Sequence, residues 1–203
     1  MRKIYIAGFD VFYLDAKERG EKMKEICSNY GFEGLFPLDK EIKEYSSNND
    51  LAEKIFNNNI HLIKQSDIII ANLNNFRGSE PDSGTSFECG VGFALDKKLY
   101  GYVDSMEDII KKYDKKHEVY IFESKQYLDE NNMFIEDFDL PLNLMLSIPM
   151  TIIQGNFEDT VKEVQLKHNP KNPCKYCGKN TFYNTYYSGF MCTNCLSDGF
   201  SMM

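Results

Sequence analysis

The chain has 203 residues, of which 42% are hydrophobic and 27% are charged, a balance typical of a globular protein. Its 23 basic and 31 acidic residues give a formal net charge of −8, which disfavours binding to the phosphate backbone of nucleic acids. No apolar run approaches the ~20 residues that a membrane span needs, and the first residues lack the features of a signal peptide. We therefore expect a cytoplasmic protein that binds neither a membrane nor nucleic acid.

Residues 1–167 alternate between strand and helix patterns, and we interpret them as one domain. Short runs rich in β-formers predict five strands: Lys3–Ala7, Gly34–Phe36, Asp67–Leu73, Leu99–Val103 and Met150–Ile153. Apolar spacing predicts four helices: Ala16–Tyr30, Leu51–Gln65, Gly84–Asp96 and Phe157–Lys167. An additional strand is predicted at Val119–Phe122, inside the long charged segment between the fourth and fifth predicted strands.

The order of these elements predicts an α/β fold with a doubly wound parallel sheet of about five strands. Asp67–Leu73 is continuously apolar, which is typical of a parallel strand buried on both faces. In such sheets ligands bind at the carboxyl ends of strands. We therefore expect the site in three loops: Gly8–Asp15, Pro37–Lys40 and Asn74–Ser83.

Asn59 is a polar residue on the apolar face of the helix 51–65. The apolar residues of that helix share one face, which we expect to be buried: Ala52, Ile55, Phe56, Ile60 and Ile63. A polar side chain there needs a partner. Two interpretations stay open, a hydrogen-bonded core asparagine and a side chain that lines a cavity.

The densest polar constellation of the chain runs from Phe76 to Glu88. Asp82 precedes a predicted helix and Glu88 lies about one turn inside it, near the positive end of the helix dipole. Two carboxylates at a strand's carboxyl end can divide their roles, one as a nucleophile and one as a hydrogen-bonding anchor. The alternative is structural, because Thr85 to Glu88 has the spacing of a capping box and Asp82 can orient the turn.

We predict structural roles, and no role in catalysis, for three residues of the predicted helix 84–96: Gly90, Gly92 and Cys89. Gly90 and Gly92 lack the lysine and the hydroxyl residue of a phosphate loop, so we expect them to let the helix pack closely on the sheet. Cys89 is interpreted as a buried small hydrophobe and not as a nucleophile.

Four cysteines form two Cys-x-x-Cys pairs near the end of the chain: Cys174, Cys177, Cys192 and Cys195. Four thiolates at this spacing can close a tetrahedral zinc site, and redox-active pairs are the alternative. Two prolines in 168–173 indicate a linker before this segment. We predict that 174–203 is a small zinc-ribbon-like appendage with structural zinc, and we expect no organic cofactor.

Six segments in family order resemble the nucleoside 2-deoxyribosyltransferase family: 5–12, 31–39, 66–73, 76–78, 80–90 and 140–146. The likeness is strongest to members that carry Phe-Arg-Gly followed by Glu-Pro-Asp in the loop 76–82. The resemblance implies a flavodoxin-like fold and the transfer of 2-deoxyribose between nucleobases. The implied substrates are a deoxynucleoside and a free nucleobase.

The resemblance also implies roles for three residues. Glu88 matches the glutamate that attacks the anomeric carbon and forms a glycosyl-enzyme intermediate. Asp82 matches the carboxylate that holds the sugar and its 5′-hydroxyl. Asn143 resembles an asparagine that a neighbouring subunit supplies to the same hydroxyl, which implies a homo-oligomer, at least a dimer.

The remaining matched loops are expected to surround the substrate with Gly8, Asp10, Phe12, Asp39, Phe76 and Arg77. Asn59 stands where some members carry an aspartate that assists proton transfer at the base. An amide cannot act as that acid, so Asp10 or Asp39 are the candidates to replace it. Two other functions stay open: hydrolysis of a nucleoside or nucleotide N-glycosidic bond, and a non-catalytic nucleotide-binding module.

Overall fold

The computed structural model describes residues 1–113, 116–122 and 124–168, and the backbone of 182–184 and 189–191. Its central feature is a parallel sheet of five strands: β1 (Lys3–Ala7), β2 (Glu33–Leu35), β3 (Ile68–Asn72), β4 (Lys98–Val103) and β5 (Thr151–Gln154). Each strand lies within one or two residues of its predicted position. The predicted α/β class and five-stranded parallel sheet are therefore confirmed.

Five α-helices accompany the sheet: α1 (Ala16–Asn29), α2 (Asn48–Gln65), α3 (Ser83–Ala94), α4 (Leu144–Ser147) and α5 (Phe157–His168). Four of them match predicted helices, and α2 begins three residues earlier than predicted because the Ser47 hydroxyl accepts a hydrogen bond from the Asp50 N–H. Within the described residues, no helix combines the length and apolarity that crossing a bilayer requires.

The strands lie in the order β2-β1-β3-β4-β5. β1 pairs with β2 on one side and with β3 on the other, so the chain reverses its direction of progress across the sheet between β1 and β3. This is the flavodoxin-like order that the resemblance implied. The carboxyl ends of β1 and β3 therefore flank the crevice where such sheets bind ligands.

Alternate residues of β3 pack on opposite faces of the sheet. Ile68 and Ile70 belong to a core shared with α1 and α5, whereas Ile69 and Ala71 belong to a core shared with α2 and α3. All five residues of β3 are buried. The continuous apolar run thus reflects burial on both faces, as predicted.

The predicted buried face of α2 is wrong for the first half of the helix. Ile63 is fully buried, but Ile55 is 45% exposed and Phe56 is 51% exposed. Ile55 lines a cavity beside the helix, and Phe56 meets Phe87 of α3 with ring centroids 6.1 Å apart. The apolar stripe therefore serves the core at one end and a cavity wall and surface at the other.

The charged segment between β4 and β5 forms a second, antiparallel sheet of three strands: Lys116–Ile121, Ser124–Asp129 and Phe134–Ile135. The sequence predicted one strand there, and most residues of that strand are exposed. Charged side chains on an exposed sheet leave little of the apolar alternation that reveals strands. A further antiparallel pair, Phe182–Asn184 with Gly189–Met191, lies beyond α5.

Close packing explains one of the two glycines of α3. A Cβ at Gly92 would overlap the Ile69 side chain and lie 3.1 Å from a methyl group of Leu99. A Cβ at Gly90 would meet nothing within 4 Å. The packing interpretation is confirmed for Gly92 and wrong for Gly90, which lies beside an open groove.

Candidate active site

Three elements converge on the carboxylate of Glu88. Its Oε1 accepts a hydrogen bond of 2.6 Å from the hydroxyl of Tyr5 on β1 and one of 3.3 Å from Nδ2 of Asn59 on α2. Its Oε2 accepts no hydrogen bond from the residues that the structure describes. One oxygen is thus anchored while the other is unengaged.

The capping-box interpretation of Glu88 is wrong. The N-cap of α3 is Asp82, whose Oδ2 accepts from the backbone N–H of Thr85 at 2.8 Å and from its hydroxyl at 2.9 Å. Because the cap lies three residues earlier than a box with Thr85 would need, Glu88 falls on the next turn. There its side chain bonds to other side chains and to no backbone amide.

Burial raises the pKa of Glu88 to about 7, and the negative charge of Asp82 contributes to the rise. The hydrogen bonds from Tyr5 and Asn59 act in the opposite direction because they stabilise the carboxylate. Burial also raises the pKa of Tyr5 far above its ordinary value, so its phenol keeps its proton and donates to Glu88. The carboxylate therefore changes charge near neutral pH.

Asn59 contacts the candidate nucleophile directly. Its Nδ2 donates to Glu88, while its Oδ1 is buried without a hydrogen-bond partner in the described part of the chain. The interpretation as a satisfied core asparagine is therefore wrong for this oxygen. Asn59 instead lines the cavity in front of Glu88.

This cavity has a volume of about 460 Å³, within the range of pockets that hold small organic molecules. It contains five of the predicted site residues: Gly8, Phe12, Asn59, Asp82 and Glu88. Gly8 has φ +156°, and a Cβ there would come within 2.8 Å of the Cβ of Asn72. The first loop can therefore approach β3 only with glycine at this position.

Asp82 has two tasks available. Its Oδ2 caps α3, which confirms the structural interpretation, whereas its Oδ1 has no hydrogen bond to any described residue. The side chain also lines the cavity with Glu88. One oxygen therefore remains for a ligand.

Phe12, which lines the cavity, belongs to a stack of three rings. Phe76 lies between Phe9 and Phe12, with centroid distances of 5.2 and 5.3 Å and interplanar angles of 16°. The Arg77 guanidinium lies 4.6 Å from the centre of the Phe76 ring, on a residue with φ +52°. Phe76 and Arg77 thus support Phe12, and they do not themselves line the cavity.

The two carboxylates considered as proton donors lie outside the cavity lining. Asp10 is buried, accepts a hydrogen bond of 2.8 Å from Asn72 and lies 3.7 Å from Arg19. Asp39 accepts from the ammonium group of Lys24 at 2.6 Å. Both carboxylates stabilise the loops that carry them.

Asn143 lies in a different, larger groove of about 1120 Å³ on the other side of α3. It caps α4: its Oδ1 accepts from the Met145 N–H at 2.9 Å, and its Nδ2 donates to Glu136 at 2.6 Å. Glu136 also accepts from the Leu144 N–H at 2.8 Å. The structure therefore does not bring Asn143 into the cavity of its own chain.

The four C-terminal cysteines lie outside the described residues, and zinc binding there stays a prediction. Among the described residues there is no group of three or more histidine, cysteine or acidic side chains that could hold a metal ion. Cys27 and Cys89 are free and buried, and burial raises both thiol pKa values to about 12. Cys89 is thus poorly suited to act as a nucleophile.

The sequence interpretation assigned no role to Tyr5. A signal for it existed, because a tyrosine within a buried strand needs a partner for its hydroxyl. Tyr5 faces the α2–α3 side of the sheet, on the same side as Cys89 and Ile63. Its partner, however, becomes known only from the packing of α3 on β1.

A sequence model of the nucleoside 2-deoxyribosyltransferase family matches residues 4–145. A solved 2-desoxiribosyltransferase from Leishmania mexicana is similar with a TM-score of 0.66 and 29% identity, over 83% of this chain and 99% of that one. A 2-deoxyribosyltransferase from Bacillus psychrosaccharolyticus shares the fold, with a TM-score of 0.51 and 15% identity over 94% and 98% of the two chains.

One curated relative is an uncharacterized protein of Schizosaccharomyces pombe, 32% identical over 102 residues. The match spans 49% of this chain and 48% of that protein, about half the length of the relative.

Proposed function

Because the chain belongs to the nucleoside 2-deoxyribosyltransferase family, we propose that it transfers 2-deoxyribose between nucleobases through a covalent intermediate on Glu88. One observation carries the proposal. The Glu88 carboxylate lines a cavity, is held at Oε1 by Tyr5 and Asn59, and keeps Oε2 unengaged. This is the arrangement that a positioned carboxylate nucleophile requires.

In the first half of the reaction, Oε2 of Glu88 attacks C1′ of the deoxynucleoside. The C1′–N bond breaks, and its electron pair leaves with the base. In the second half, a ring nitrogen of another base attacks C1′ and the Glu88 carboxylate departs. Two inversions at C1′ give overall retention.

The hydrogen bonds to Oε1 assist both halves of the reaction. Tyr5 and Asn59 donate to the carboxylate, which favours its ionised form before attack and after the sugar has left. Burial opposes them and keeps the pKa near 7, so the carboxylate is not so strongly stabilised that it loses nucleophilicity.

Asp82 is proposed to hold the sugar. Its Oδ1 is available to accept a hydrogen bond from the 5′-hydroxyl, and a 5′-phosphate would be repelled by the two nearby carboxylates. Asn143 keeps one N–H beyond the bond to Glu136, so it can donate to the same hydroxyl. Since it lies in the other groove, we propose that a second copy of the chain supplies it.

The base is proposed to lie between the apolar cavity wall and the face of Phe12. The ring of Phe12 is 58% exposed and lines the cavity, with Phe76 stacked on it and the Arg77 guanidinium 5.4 Å from its centre. Its exposed surface is proposed to stack on the heterocycle. Leu38 and Ile55 supply the apolar surface on the other walls.

Product analysis tests the proposal. The purified chain is incubated with a deoxynucleoside, with and without a second nucleobase. We expect exchange of the base to be much faster than release of free 2-deoxyribose, and we expect Glu88→Ala to abolish exchange. Release of the sugar at a rate that added base does not change would indicate a hydrolase instead, and binding without turnover would indicate a non-catalytic module.

A further inference from the structure

The two carboxyl groups considered as proton donors to the base do not line the cavity. Asn59 is an amide, and both Asp10 and Asp39 are engaged elsewhere. Of the three acidic residues that line the cavity, Glu88 and Asp82 lie on the α3 wall, and Glu41 is exposed and 4.0 Å from Lys43. A leaving base must therefore have its electron pair stabilised in another way.

Two exposed lysines line the same cavity, Lys17 and Lys40. Neither forms an ion pair or hydrogen bond with any described residue. Two basic residues nearby on α1 are paired, since Arg19 lies 2.9 Å from Asp15 and Lys24 lies 2.6 Å from Asp39. Lys17 and Lys40 are thus unpartnered cations at a cavity that also contains the candidate nucleophile.

The two lysines come from elements other than α3, which carries Glu88. Lys17 lies on α1, next to the loop of Gly8 and Phe12, and Lys40 follows Leu38 in the loop after β2. These loops supply the aromatic and apolar surface against which a base stacks. The α3 side of the cavity thus carries Glu88 and Asp82, whereas α1 and the loop after β2 bring Lys17 and Lys40 together with Glu41.

We propose, on the basis of the proposed function, that Lys17 and Lys40 select bases that leave as anions with the charge on exocyclic oxygen. The substrate class comprises 2′-deoxynucleosides of 6-oxopurines and 2,4-dioxopyrimidines. Adenine at C6 and cytosine at C4 carry an amino group in place of this oxygen, so they offer no oxygen there to the ammonium groups and depart more slowly. The O2 oxygen that cytosine keeps is common to all the pyrimidine donors and does not distinguish them.

The step balances without an enzyme acid. The C1′–N electron pair moves onto the base and is delocalised to its exocyclic oxygen, where an ammonium N–H donates a hydrogen bond to the anion. The departing base anion takes one proton from water. The incoming base gives one proton back to water as its nitrogen attacks C1′, so the complete transfer consumes no proton.

The test compares kcat/KM for four donors: deoxyinosine, deoxyuridine, deoxyadenosine and deoxycytidine. We expect the wild type to prefer the first two. Lys17→Met and Lys40→Met are each expected to lose about 10-fold on the oxo-base donors, the worth of one hydrogen bond to a charged group, with about 2-fold or less on the amino-base donors. Lys17→Arg and Lys40→Arg keep the charge and are expected to recover most of the loss.

Lys22→Met is the matched control, because Lys22 is an exposed lysine of α1 that does not line the cavity. It is expected to leave all four donors unchanged. An equal loss on all donors in Lys17→Met and Lys40→Met, no loss in either variant, or a wild-type preference for amino bases would overturn the inference while leaving the Glu88 mechanism intact. A wild-type chain inactive on every donor would overturn the proposed function as well.

Discussion

The two sides of α3 present different hydrogen-bonding groups. On one side, Glu88 and Asp82 line a cavity of about 460 Å³. When ionised, their carboxylates can accept hydrogen bonds but cannot donate them. On the other side, Asn143 lines a groove of about 1120 Å³ and keeps a free N–H donor. A hydroxyl group is best held by one acceptor and one donor together. Under the proposed function, this difference predicts that one chain carries the parts of two half-sites.

The largest expected effect comes from separating these half-sites on different chains. Glu88→Gln and Asn143→Ala are each expected to be nearly inactive alone, because one lacks the nucleophile and the other lacks the donor. If the chain is a dimer, mixing the two variants under conditions of subunit exchange should restore roughly a quarter of wild-type activity, since half the dimers are mixed and each contains one complete site. Continued inactivity of an exchanged mixture would show that Asn143 does not serve a second copy's site.

The next effect concerns the free energy of unfolding, whose pH dependence reports the cost of burying the Glu88 carboxylate. Its pKa is about 7 in the folded chain against an ordinary value of 4.5, so the unfolded chain releases its proton first as pH rises. The free energy of unfolding should therefore fall between pH 4.5 and 7. Glu88→Gln, which stays neutral, should be more stable than wild type by about 1–3 kcal/mol at pH 8 and equal to it at pH 4. Denaturant unfolding at both pH values measures this, and a loss of stability at pH 8 would contradict it.

A smaller effect is expected from Asn59→Asp. This variant distinguishes two roles of the position: an amide that positions Glu88, and a place where an acid would protonate the base. Asn59→Asp places a second negative charge beside Glu88 and removes a hydrogen bond that lowers its pKa. The wild-type kcat/KM should rise with pH with a midpoint near 7. The variant's midpoint should move at least one unit higher, which lowers activity at pH 7 by about 5-fold or more. Increased activity at acid pH would instead show that the introduced acid protonates the base.

The smallest effect is expected at Glu136, in the Asn143 groove. Glu136→Gln can still accept from one of its two donors, Asn143 and the Leu144 N–H, but not from both. We expect KM for a deoxynucleoside to rise about 3- to 10-fold with kcat less affected. A 2′,5′-dideoxynucleoside, which lacks the 5′-hydroxyl, should show no difference between variant and wild type. An equal KM increase for both substrates would indicate a merely structural role.

The elements that local sequence specifies were predicted well. β3 is continuously apolar because both of its faces are buried, and that pattern is independent of any partner. The start of α3 is similar, since Asp82 and its cap bond to Thr85 lie within four residues. Such features could be predicted because the interactions that decide them are local.

The site required contacts between distant parts of the chain. Tyr5 and Glu88 are 83 residues apart in the sequence, so nothing near either residue indicates that the Tyr5 hydroxyl donates a hydrogen bond to Glu88. Asp39 illustrates the converse, because its position in a loop at a strand end favoured substrate binding. The tertiary contact with Lys24, together with a local hydrogen bond from the Phe36 N–H, holds its carboxylate outside the cavity lining. The exposed face of α2 was missed for the same reason, since an apolar stripe is the same for a core and for a cavity wall.

The central claim is that Glu88 is presented to the anomeric carbon of a bound deoxynucleoside, and the intact mass of the protein tests it most directly. The wild type is mixed with a deoxynucleoside in the absence of an acceptor base, quenched, weighed by mass spectrometry and digested. We predict an added mass of one 2-deoxyribosyl group, located on the peptide that contains Glu88 and removed when a nucleobase is added before quenching. Base exchange that proceeds with no covalent adduct, or an adduct on another residue, would contradict the account.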